Sequence, residues 1–505
     1  MTAHIRNSSD SSFLSFIYDD LISSSADELQ QHQEQPSTEI TITPNDDDDD
    51  DHLRVPPNYG DHHHHLLLPP CVTPQSIAFC ENFSFSGMLN HIFDQHSDSV
   101  SSIKFANRHK SLLAAASADG TLSIAQLTPS PPTILFILRG HKAAITGFEW
   151  SASNDLLVSC SADATLRLWS TMNGSCLRVF HEPGTASSAA SPLTACALCP
   201  SNNNIIVTGN AAGVLNVLNL STGIYSKNAV TACETGPVTA MCFQSKLFVG
   251  GEGGGGGGSS TSTSSCESSE DVLWVGDGKG YIAAYRLASF ETTHSARLLP
   301  LKKVMVVAGC PVTSLSAIAR NLSGGGGKHE ALLLANIACN AVVLFRCPSF
   351  GVGGGGGGGG TAAATAGNGS GSGGHSNTTS SSPNSNSLEF IKSFPVRHQN
   401  ASLAIRSSFC PASSSKTADS SSVCIVTGSE DTCVYFYTFD TEQGGSDNQD
   451  SSSKSGKKAR CVNKLQGHSS PVLDVCFNYE ESLLASADSR GNIIIWKRES
   501  LLAAN

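Results

Sequence analysis

The sequence predicts an all-β protein, a seven-bladed β-propeller of four-stranded blades. Outside its low-complexity blocks, the chain consists of short apolar or β-branched runs separated by Asp, Gly, Ser and Asn, with almost no stretch at helical period. Apolar residues make up 39% of the chain and charged residues 15%, so there are enough apolar side chains for a core. Several of the strand-like runs also repeat along the chain, and this repetition predicts the propeller.

Two copies of the repeat give the strongest signal. One begins at Gly140-His141 and ends at Trp169, and the other begins at Gly467-His468 and ends at Trp496, with 28 residues from histidine to tryptophan in both. A third copy begins at His96; it lacks the tryptophan and has one extra loop residue. Four fainter copies are predicted from their strand pairs, at Leu193–Leu220, Val238–Tyr285, Val312–Phe345 and Ile405–Tyr437. The chain therefore contains seven units.

A Gly-His pair followed at this distance by a strand-ending tryptophan, with an Asp turn between, is typical of the WD repeat, which folds as one blade of a propeller. From Glu81 to Glu499 the chain resembles the WD-repeat superfamily. The resemblance implies a non-catalytic propeller that scaffolds protein complexes, usually nuclear or nucleocytoplasmic, without a cofactor. The acidic N-terminal region and the polyglycine blocks depart from the family pattern.

The ring also needs an opening strand, because each unit contributes its outermost strand to the preceding blade. Met88–Phe93 is predicted to fill that place beside Asn492–Lys497. Closing the ring in this way removes an exposed sheet edge.

Residues 1–80 are predicted to be a disordered acidic arm, and residues 81–505 to be the propeller. The first 70 residues contain fourteen Asp or Glu and two Lys or Arg, and they include a run of six Asp. Phe13, Phe16, Ile17 and Ile22 could form a short amphipathic helix on a partner; the alternative is an unstructured segment. Three low-complexity blocks are predicted to be loop insertions, because strand-like sequence flanks each of them: 253–270, 351–387 and 441–458.

The charge pattern does not favour direct nucleic-acid binding. The 435 residues after position 70 carry 29 charges of each sign, and the acidic arm would be repelled by phosphate. Seventeen scattered cysteines predict free thiols in a reducing compartment. No signal-peptide pattern opens the chain and no apolar run approaches membrane-spanning length, so we expect a protein of the nucleus, the cytoplasm or both. The basic residues Lys454, Lys457, Lys458 and Arg460 are compatible with nuclear import or with a solvated loop.

No metal or cofactor site is predicted. Cys196-x-x-Cys199 has no second Cys/His pair at zinc-finger spacing, so these thiols are interpreted as part of a strand core. His62–His65 is interpreted as a flexible polar tract, the alternative being weak metal binding.

His141, Ser161, Asp163 and Trp169 have the residue types of a hydrolase triad, but we predict a structural hydrogen-bond network. The Trp169 indole is expected to donate to the Ser161 hydroxyl, which reaches His141, while Asp163 bonds the other ring nitrogen. No strained Gly-x-Ser-x-Gly turn precedes a helix near this set, and no convergent titratable groups are expected around the central channel. An enzyme is therefore not predicted.

The last blade, with His468 and Trp496, is expected to have an incomplete network. The position that matches Asp163 is Arg490, so either Asp488 substitutes from two residues earlier or His468 bonds elsewhere.

Because the histidine loop and the Asp turn must meet, both lie on one face of the ring. Lys142, Lys279 and Arg490 are predicted to be exposed there, and we interpret them as a candidate partner face. The predicted mechanism is binding of other proteins by a monomeric, rigid propeller within a complex. The alternatives are a chromatin- or RNA-associated reader and, less favoured, an enzyme on a propeller scaffold.

Overall fold

The computed structural model describes residues 85–183, 190–233, 236–244, 271–290, 295–321, 329–348, 388–410, 422–440 and 459–498. Within these ranges the chain forms 29 β-strands in seven antiparallel sheets and no helix. The predicted arm and the three predicted insertions lie outside the described residues, apart from boundary positions.

The first half of the ring contains blades 1 to 3, each named by its sheet. Blade 1 consists of β2 (Val100–Phe105), β3 (Leu112–Ser117), β4 (Thr121–Gln126) and β5 (Thr133–Arg139). Blade 2 consists of β6 (Ile145–Trp150), β7 (Leu156–Ser161), β8 (Thr165–Ser170) and β9 (Cys176–His181). Blade 3 consists of β10 (Leu193–Leu198), β11 (Ile205–Asn210), β12 (Val214–Asn219) and an outermost strand in two pieces, β13 (Ile224–Tyr225) and β14 (Val230–Thr231).

Blades 4 to 7 complete the ring. Blade 4 consists of β15 (Val238–Phe243), β16 (Asp271–Asp277), β17 (Tyr281–Phe290) and β18 (Ser295–Met305). Blade 5 consists of β19 (Val312–Asn321), β20 (His329–Ile337), β21 (Ala341–Arg346) and β22 (Glu389–Pro395). Blade 6 consists of β23 (Ser407–Phe409), β24 (Ser422–Thr427), β25 (Cys433–Asp440) and β26 (Arg460–Gln466). Blade 7 consists of β27 (Val472–Phe477), β28 (Leu483–Asp488), β29 (Ile493–Arg498) and β1 (Phe85–Phe93).

The predicted fold class is confirmed, including the closure of the ring. The first strand of each blade lies innermost, beside the first strands of its two neighbours. The opening strand β1 pairs antiparallel with β29, from Phe85 opposite Arg498 to Phe93 opposite Ile493. This strand is longer than the predicted Met88–Phe93, and it joins the two ends of the chain in one sheet.

The core lies between neighbouring blades. Val158 and Leu166 of blade 2, for example, pack with Leu193, Ile206 and Leu218 of blade 3, and all five are at most 1% exposed. Burying one such side chain contributes about 1.5–3 kcal/mol. Both faces of each sheet are therefore covered by the adjacent blades, which explains why the sequence shows near-continuous apolar runs.

A bulge recurs near the start of the innermost strand in six blades. In five of them the extra residue is Ser or Thr, and four of these hydroxyls donate to a backbone carbonyl of the next blade. The bonds are Ser101 to Ile145 (2.6 Å), Thr146 to Leu193 (3.0 Å), Thr239 to Val312 (2.6 Å) and Thr313 to Ile405 (3.0 Å). These bonds tie each blade to its neighbour around the channel.

The two faces of the ring differ. We call the top face the one formed by the connections between blades and by the turns between the second and third strands of each blade. The bottom face contains the turns between first and second strands and between third and fourth strands. The three predicted insertions connect β15 to β16, β21 to β22 and β25 to β26, so their flanking strand ends all lie at the bottom face.

Candidate interaction face

The hydrogen-bond network of blade 2 is centred on His141, in the connection that precedes β6. Its Nδ1 lies 3.1 Å from Asp163 Oδ2, and its Nε2 lies 2.8 Å from the Ser159 hydroxyl. The Trp169 indole N–H donates to the same hydroxyl at 2.9 Å. The chain Trp–Ser–His–Asp thus joins the third strand, the second strand, the connecting loop and the turn of one blade.

The serine in this network is Ser159, so the expectation of Ser161 is wrong. Trp169 faces Leu157 across the β7–β8 pair. Ser159 is two residues from that point and Ser161 is four, and side chains reach diagonally over only about 7–8 Å. Ser161 instead donates to the carbonyl oxygen of Ala143 at 3.0 Å.

Blade 7 has a complete network, contrary to the expectation. His468 Nδ1 lies 2.9 Å from Asp488 Oδ2 and Nε2 lies 2.7 Å from the Ser486 hydroxyl, to which the Trp496 indole also donates at 2.7 Å. Asp488 occupies the strand position that matches Ser161, so the carboxylate comes from the end of β28 and not from the turn. Of the two alternatives, substitution by Asp488 is the one observed.

Blade 1 holds its histidine differently. The Ser of the second strand is replaced by Ala115, and the His96 Nε2 bonds the Ser123 hydroxyl of the third strand at 2.9 Å. Thr121 bonds Nδ1 at 3.0 Å, and the Asp119 carboxylate lies 3.4 Å from the same nitrogen. The network therefore persists without a tryptophan.

The aspartates of these three blades share one electrostatic property. Burial works against their ionisation, but hydrogen bonds from the histidines and from backbone or hydroxyl donors outweigh it and lower the pKa of Asp119, Asp163 and Asp488. The carboxylates are held ionised as acceptors, which suits a fixed structural bond and not a group that exchanges protons.

In blade 3 a carboxylate replaces the histidine. Glu182 is 3% exposed and accepts from the side-chain amides of Asn216 (2.7 Å) and Asn210 (3.2 Å), with the Thr208 hydroxyl at 3.4 Å. Burial raises the pKa of Glu182, because it outweighs the three hydrogen bonds. Donors and acceptors are thus exchanged relative to the histidine networks.

Blades 4 and 5 lack a histidine at this place as well. In blade 4 the Cys233 thiol bonds Asp277; burial first, and this carboxylate second, raise the pKa of Cys233. Blade 5 has Ala335 and Ile337 at the positions that match Ser159 and Ser161, and both are fully buried.

The three residues of the candidate partner face all lie at the top face, and their side chains are exposed. The backbone N–H of each donates to a carboxylate beneath the turn, at 2.9 Å in all three cases. The pairs are Lys142 with Asp163, Lys279 with Asp277, and Arg490 with Asp488. Each cationic side chain is therefore presented from a turn whose backbone is fixed.

Titratable groups do converge on the central channel, contrary to the expectation. Lys104 Nζ of blade 1 lies 2.8 Å from Glu149 Oε1 of blade 2. Asp474 of blade 7 accepts the backbone N–H of Ile103, in blade 1, at 2.8 Å. Arg406, which precedes β23, donates to two backbone carbonyls across the channel, Ser101 of blade 1 (3.1 Å) and Thr146 of blade 2 (3.3 Å).

These channel groups bind the blades to one another. Burial alone would lower the pKa of Lys104, but the Glu149 carboxylate offsets it and the net shift is upward. Burial raises the pKa of Asp474, and the nearby charge of Arg406 counteracts part of this effect. Charged pairs and backbone bonds between different blades indicate a role in holding the ring together. Periodicity could not reveal this set, since its members are separated by up to 370 residues.

The other predicted features have ordinary surroundings. Cys196 and Cys199 are buried and lie apart: Cys196 packs beside Cys160, whereas Cys199 bonds Asp271 at 3.1 Å. No group of three or more His, Cys, Asp or Glu suited to a metal ion occurs in the described ranges. In the same ranges, no helix is long and apolar enough to cross a membrane.

Three segments match the family model described as WD domain, G-beta repeat: residues 87–124, 132–170 and 459–497. These segments contain the histidines of blades 1, 2 and 7. The fainter units of blades 3 to 6, predicted from their strand pairs, are present in the structure without that match.

Curated relatives align with parts of the chain. The WD repeat-containing protein 89 homolog of Dictyostelium discoideum is 31% identical over 103 residues, which is 20% of this chain and 28% of that protein. The ribosome biogenesis protein WDR12 homolog of Arabidopsis thaliana is 31% identical over 99 residues, or 18% and 23% of the two chains. Human pre-mRNA-processing factor 19 is 42% identical over 52 residues, or 10% of each chain. The alignments thus cover less than a third of each relative.

A solved structure, the β-propeller domain of Cps50 (Swd1) from Myceliophteria thermophila, has 16% sequence identity and a TM-score of 0.49, and covers 82% of this chain and 99% of that domain. The matched repeats, the curated relatives and the closed seven-bladed ring of this chain support placing it in the WD-repeat β-propeller superfamily.

Proposed function

We propose that the protein is a non-catalytic scaffold that binds other proteins through the top face of its propeller, with Lys142, Lys279 and Arg490 as contact residues. The observation that carries the proposal is the shared geometry of these three residues. Each presents an exposed cationic side chain from a turn whose backbone N–H is bonded to an aspartate at 2.9 Å. A surface that is already ordered loses little conformational entropy on binding, so it favours association.

The asymmetry of the two faces supports the same choice. The long low-complexity segments begin and end at the bottom face, in blades 4 to 6. The described turns of the top face are short, so a partner could approach them closely. An acidic partner surface would complement the three cations.

The absence of catalysis is part of the proposal. The Ser, His and Asp side chains of blade 2 are committed to one another and to Trp169, and the Ser159 hydroxyl already lies between an indole and an imidazole. The channel groups are likewise engaged in bonds between blades. A nucleophile needs an accessible hydroxyl beside an oxyanion hole, which these arrangements do not offer.

We further propose a nuclear or nucleocytoplasmic complex, and a relationship to WD repeat-containing protein 13 over residues 81–499. Two relatives have names that refer to ribosome biogenesis and to pre-mRNA processing, which supports the location. The resemblance to WD repeat-containing protein 13 depends on short runs spread over the propeller, among them Phe93-Asp94-Gln95-His96, Thr427-Gly428-Ser429-Glu430-Asp431 and Asn463-Lys464-Leu465-Gln466-Gly467-His468.

The test is affinity purification of the full-length chain followed by mass spectrometry, comparing the native protein with Lys142→Glu/Lys279→Glu/Arg490→Glu. A discrete set of partners that disappears in this variant supports the top face. The matched control is Lys110→Glu/Arg297→Glu/Lys497→Glu, which reverses three exposed cations at the bottom ends of strands and turns. If both variants retain the same partners, the top face is not the binding surface.

A further inference from the structure

Exposed apolar side chains are concentrated on one side of the ring. The described residues include seven large apolar side chains that are exposed, and six of them lie on the outer edges of blades 1, 2 and 3. These six, which we call the outer stripe, are Leu135 and Ile137 of β5, Met172 of the β8–β9 turn, Leu177 and Val179 of β9, and Ile224 of β13. Clustering of this kind marks an interaction surface, whereas single exposed apolar residues are ordinary.

The outer stripe is continuous from blade to blade. Phe136 of β5 packs so closely on Gly174, in the β8–β9 turn, that an added Cβ there would lie 2.7 Å from its ring. Arg178 of β9 donates to the backbone carbonyls of the β12–β13 turn, at 2.8–3.1 Å, which fixes Ile224 beside blade 2. The six side chains therefore belong to one surface.

The charge of this surface restricts what can cover it. The stretches 133–139, 171–181 and 221–227 contain the exposed cations Arg139, Arg178 and Lys227 and no Asp or Glu. An occupant that fits must combine apolar side chains with negative charge and lack Lys and Arg.

We propose that the occupant is the segment 10–22 of the same chain. This segment has six large aliphatic or aromatic residues between its acidic positions Asp10, Asp19 and Asp20, and it contains no Lys or Arg. Both requirements set by the outer stripe are met, and the arm supplies this segment without a second molecule.

The connection between the two is long enough. β1 starts at Phe85 in blade 7, the blade next to blade 1, and 62 residues separate Ile22 from Phe85. Such a chain reaches up to about 200 Å when extended and has a root-mean-square span of about 45 Å when flexible. Tethering at this span gives an effective concentration of up to about 1 mM, so a contact of modest intrinsic affinity suffices. The segment then covers the outer stripe and leaves the top face open, which makes this contact independent of the proposed partner face.

The first test measures competition. A fluorescein-labelled synthetic peptide of residues 8–24 is titrated with the native full-length chain and with the full-length variant Phe13→Ser/Phe16→Ser/Ile17→Ser, whose own segment no longer competes. We expect the peptide to bind this arm variant at least about tenfold more tightly than the native chain, with an affinity that falls as salt rises. Equal and tight binding to both, or no binding to the arm variant, overturns the proposal.

The second test locates the site. Adding Leu177→Ser/Val179→Ser to the arm variant is expected to weaken peptide binding by at least about tenfold, whereas Tyr479→Ser, an equally exposed position on blade 7, leaves it unchanged. Met172→Ser/Ile224→Ser is the second stripe variant, chosen because these side chains are 82% and 68% exposed and their loss leaves the core intact. If both stripe variants bind like the arm variant, the stripe is not the site.

A second copy of the chain is the competing occupant. Sedimentation velocity of the native chain would then show a dimer that is lost in the stripe variants and kept in the arm variant. We expect a monomer in all three, and the dimer pattern overturns the proposal.

Discussion

Two arcs of the ring reach the same blade geometry with different polar interiors. In blades 7, 1 and 2, which are neighbours, a histidine from the preceding loop bonds hydroxyl and carboxylate groups of the blade. In blades 3, 4 and 5 a glutamate, a cysteine or apolar side chains occupy the corresponding region. The sheets nevertheless have the same strand order and the same bulge near the start of the innermost strand. The network is thus one of several ways to fill the space between loop and turn.

What the two arcs share explains the fold better than what distinguishes them. The apolar cores between blades run around the whole ring, and bulge hydroxyls bond the next blade in both arcs, as Ser101 and Thr239 do. Burial and these bonds are sufficient to set the blade angle in blade 5, where Ala335 and Ile337 offer no side-chain hydrogen bond.

The largest difference between the arcs is expected at a matched pair of aspartates. Oδ1 of both Asp488 and Asp277 accepts two backbone N–H groups of its turn, but Asp488 also bonds His468, whereas Asp277 faces the weaker donor Cys233. We expect Asp488→Ala to lower the free energy of unfolding by about 3 kcal/mol, and Asp277→Ala by about 1–2 kcal/mol less than that.

Urea denaturation of the two variants at pH 7 measures both values. Equal losses would mean that the turn bonds dominate and that the histidine adds little. Asp155→Ala, which removes an exposed carboxylate of a bottom turn, is the control and should cost at most about 0.5 kcal/mol.

The next effect separates the observed serine from the predicted one. Ser159→Ala removes the bonds to Trp169 and His141 and is expected to cost about 2 kcal/mol, while Ser161→Ala removes the bond to Ala143 and should cost about 1 kcal/mol. A double-mutant cycle with Trp169→Phe checks the assignment, because only Ser159 should couple to the indole. Coupling to Ser161 of the same size would contradict the network of blade 2.

The sequence predicted the propeller well because the signals of a blade are local. Strand-like runs, Asp turns and the spacing from histidine to tryptophan all lie within one unit, and even the fainter units, such as Val238–Tyr285, were found from their strand pairs. The serine was missed through a local detail: the spacing from His141 was examined at Ser161 and not at Ser159. A serine also stands 18 residues after His468, at Ser486, and this agreement was the available signal.

The channel groups could not be predicted, because they meet only after the ring closes. Arg406 bonds Ser101 and Thr146, which lie about 300 residues earlier, and nothing in its own unit marks it. It occupies the place where other blades have a bulge hydroxyl, so its long side chain reaches across the channel where theirs reach only the next blade.

Arg406 therefore links blade 6 to the histidine arc, and its removal tests that link. Arg406→Met keeps most of the side-chain volume and loses the two carbonyl bonds, so we expect a loss of about 1 kcal/mol in the free energy of unfolding, because the group is partly exposed. The loss should shrink in mildly acidic solution. Asp474, whose pKa is already raised by burial and lowered by Arg406, binds a proton more readily once that cation is gone. A loss that does not change with pH would show that Asp474 does not sense Arg406.

The smallest expected effect distinguishes the arcs by its dependence on pH. Burial raises the pKa of Glu182, so the folded state binds a proton more readily than the unfolded state. The stability linked to that proton is complete below the unfolded pKa of about 4.3 and is lost as the pH rises through the folded value. Glu182→Gln keeps the shape and removes the charge, so we expect this variant to gain up to about 0.5 kcal/mol over the native chain at pH 8 and to lose that advantage towards pH 4.

Asp163→Asn provides the opposite case. The pKa of Asp163 is lowered in the folded state, so its contribution is present above the unfolded pKa of about 3.9 and is lost only as the pH falls below it. Denaturation of the two variants between pH 5 and pH 8 should therefore give a cost for Asp163→Asn that does not change with pH, and a gain for Glu182→Gln that grows with pH. Parallel curves would mean that Glu182 is held ionised by Asn210 and Asn216 as firmly as Asp163 is by its histidine. In that case the two arcs would differ in residue type alone, because both would keep a permanent charge under the top face.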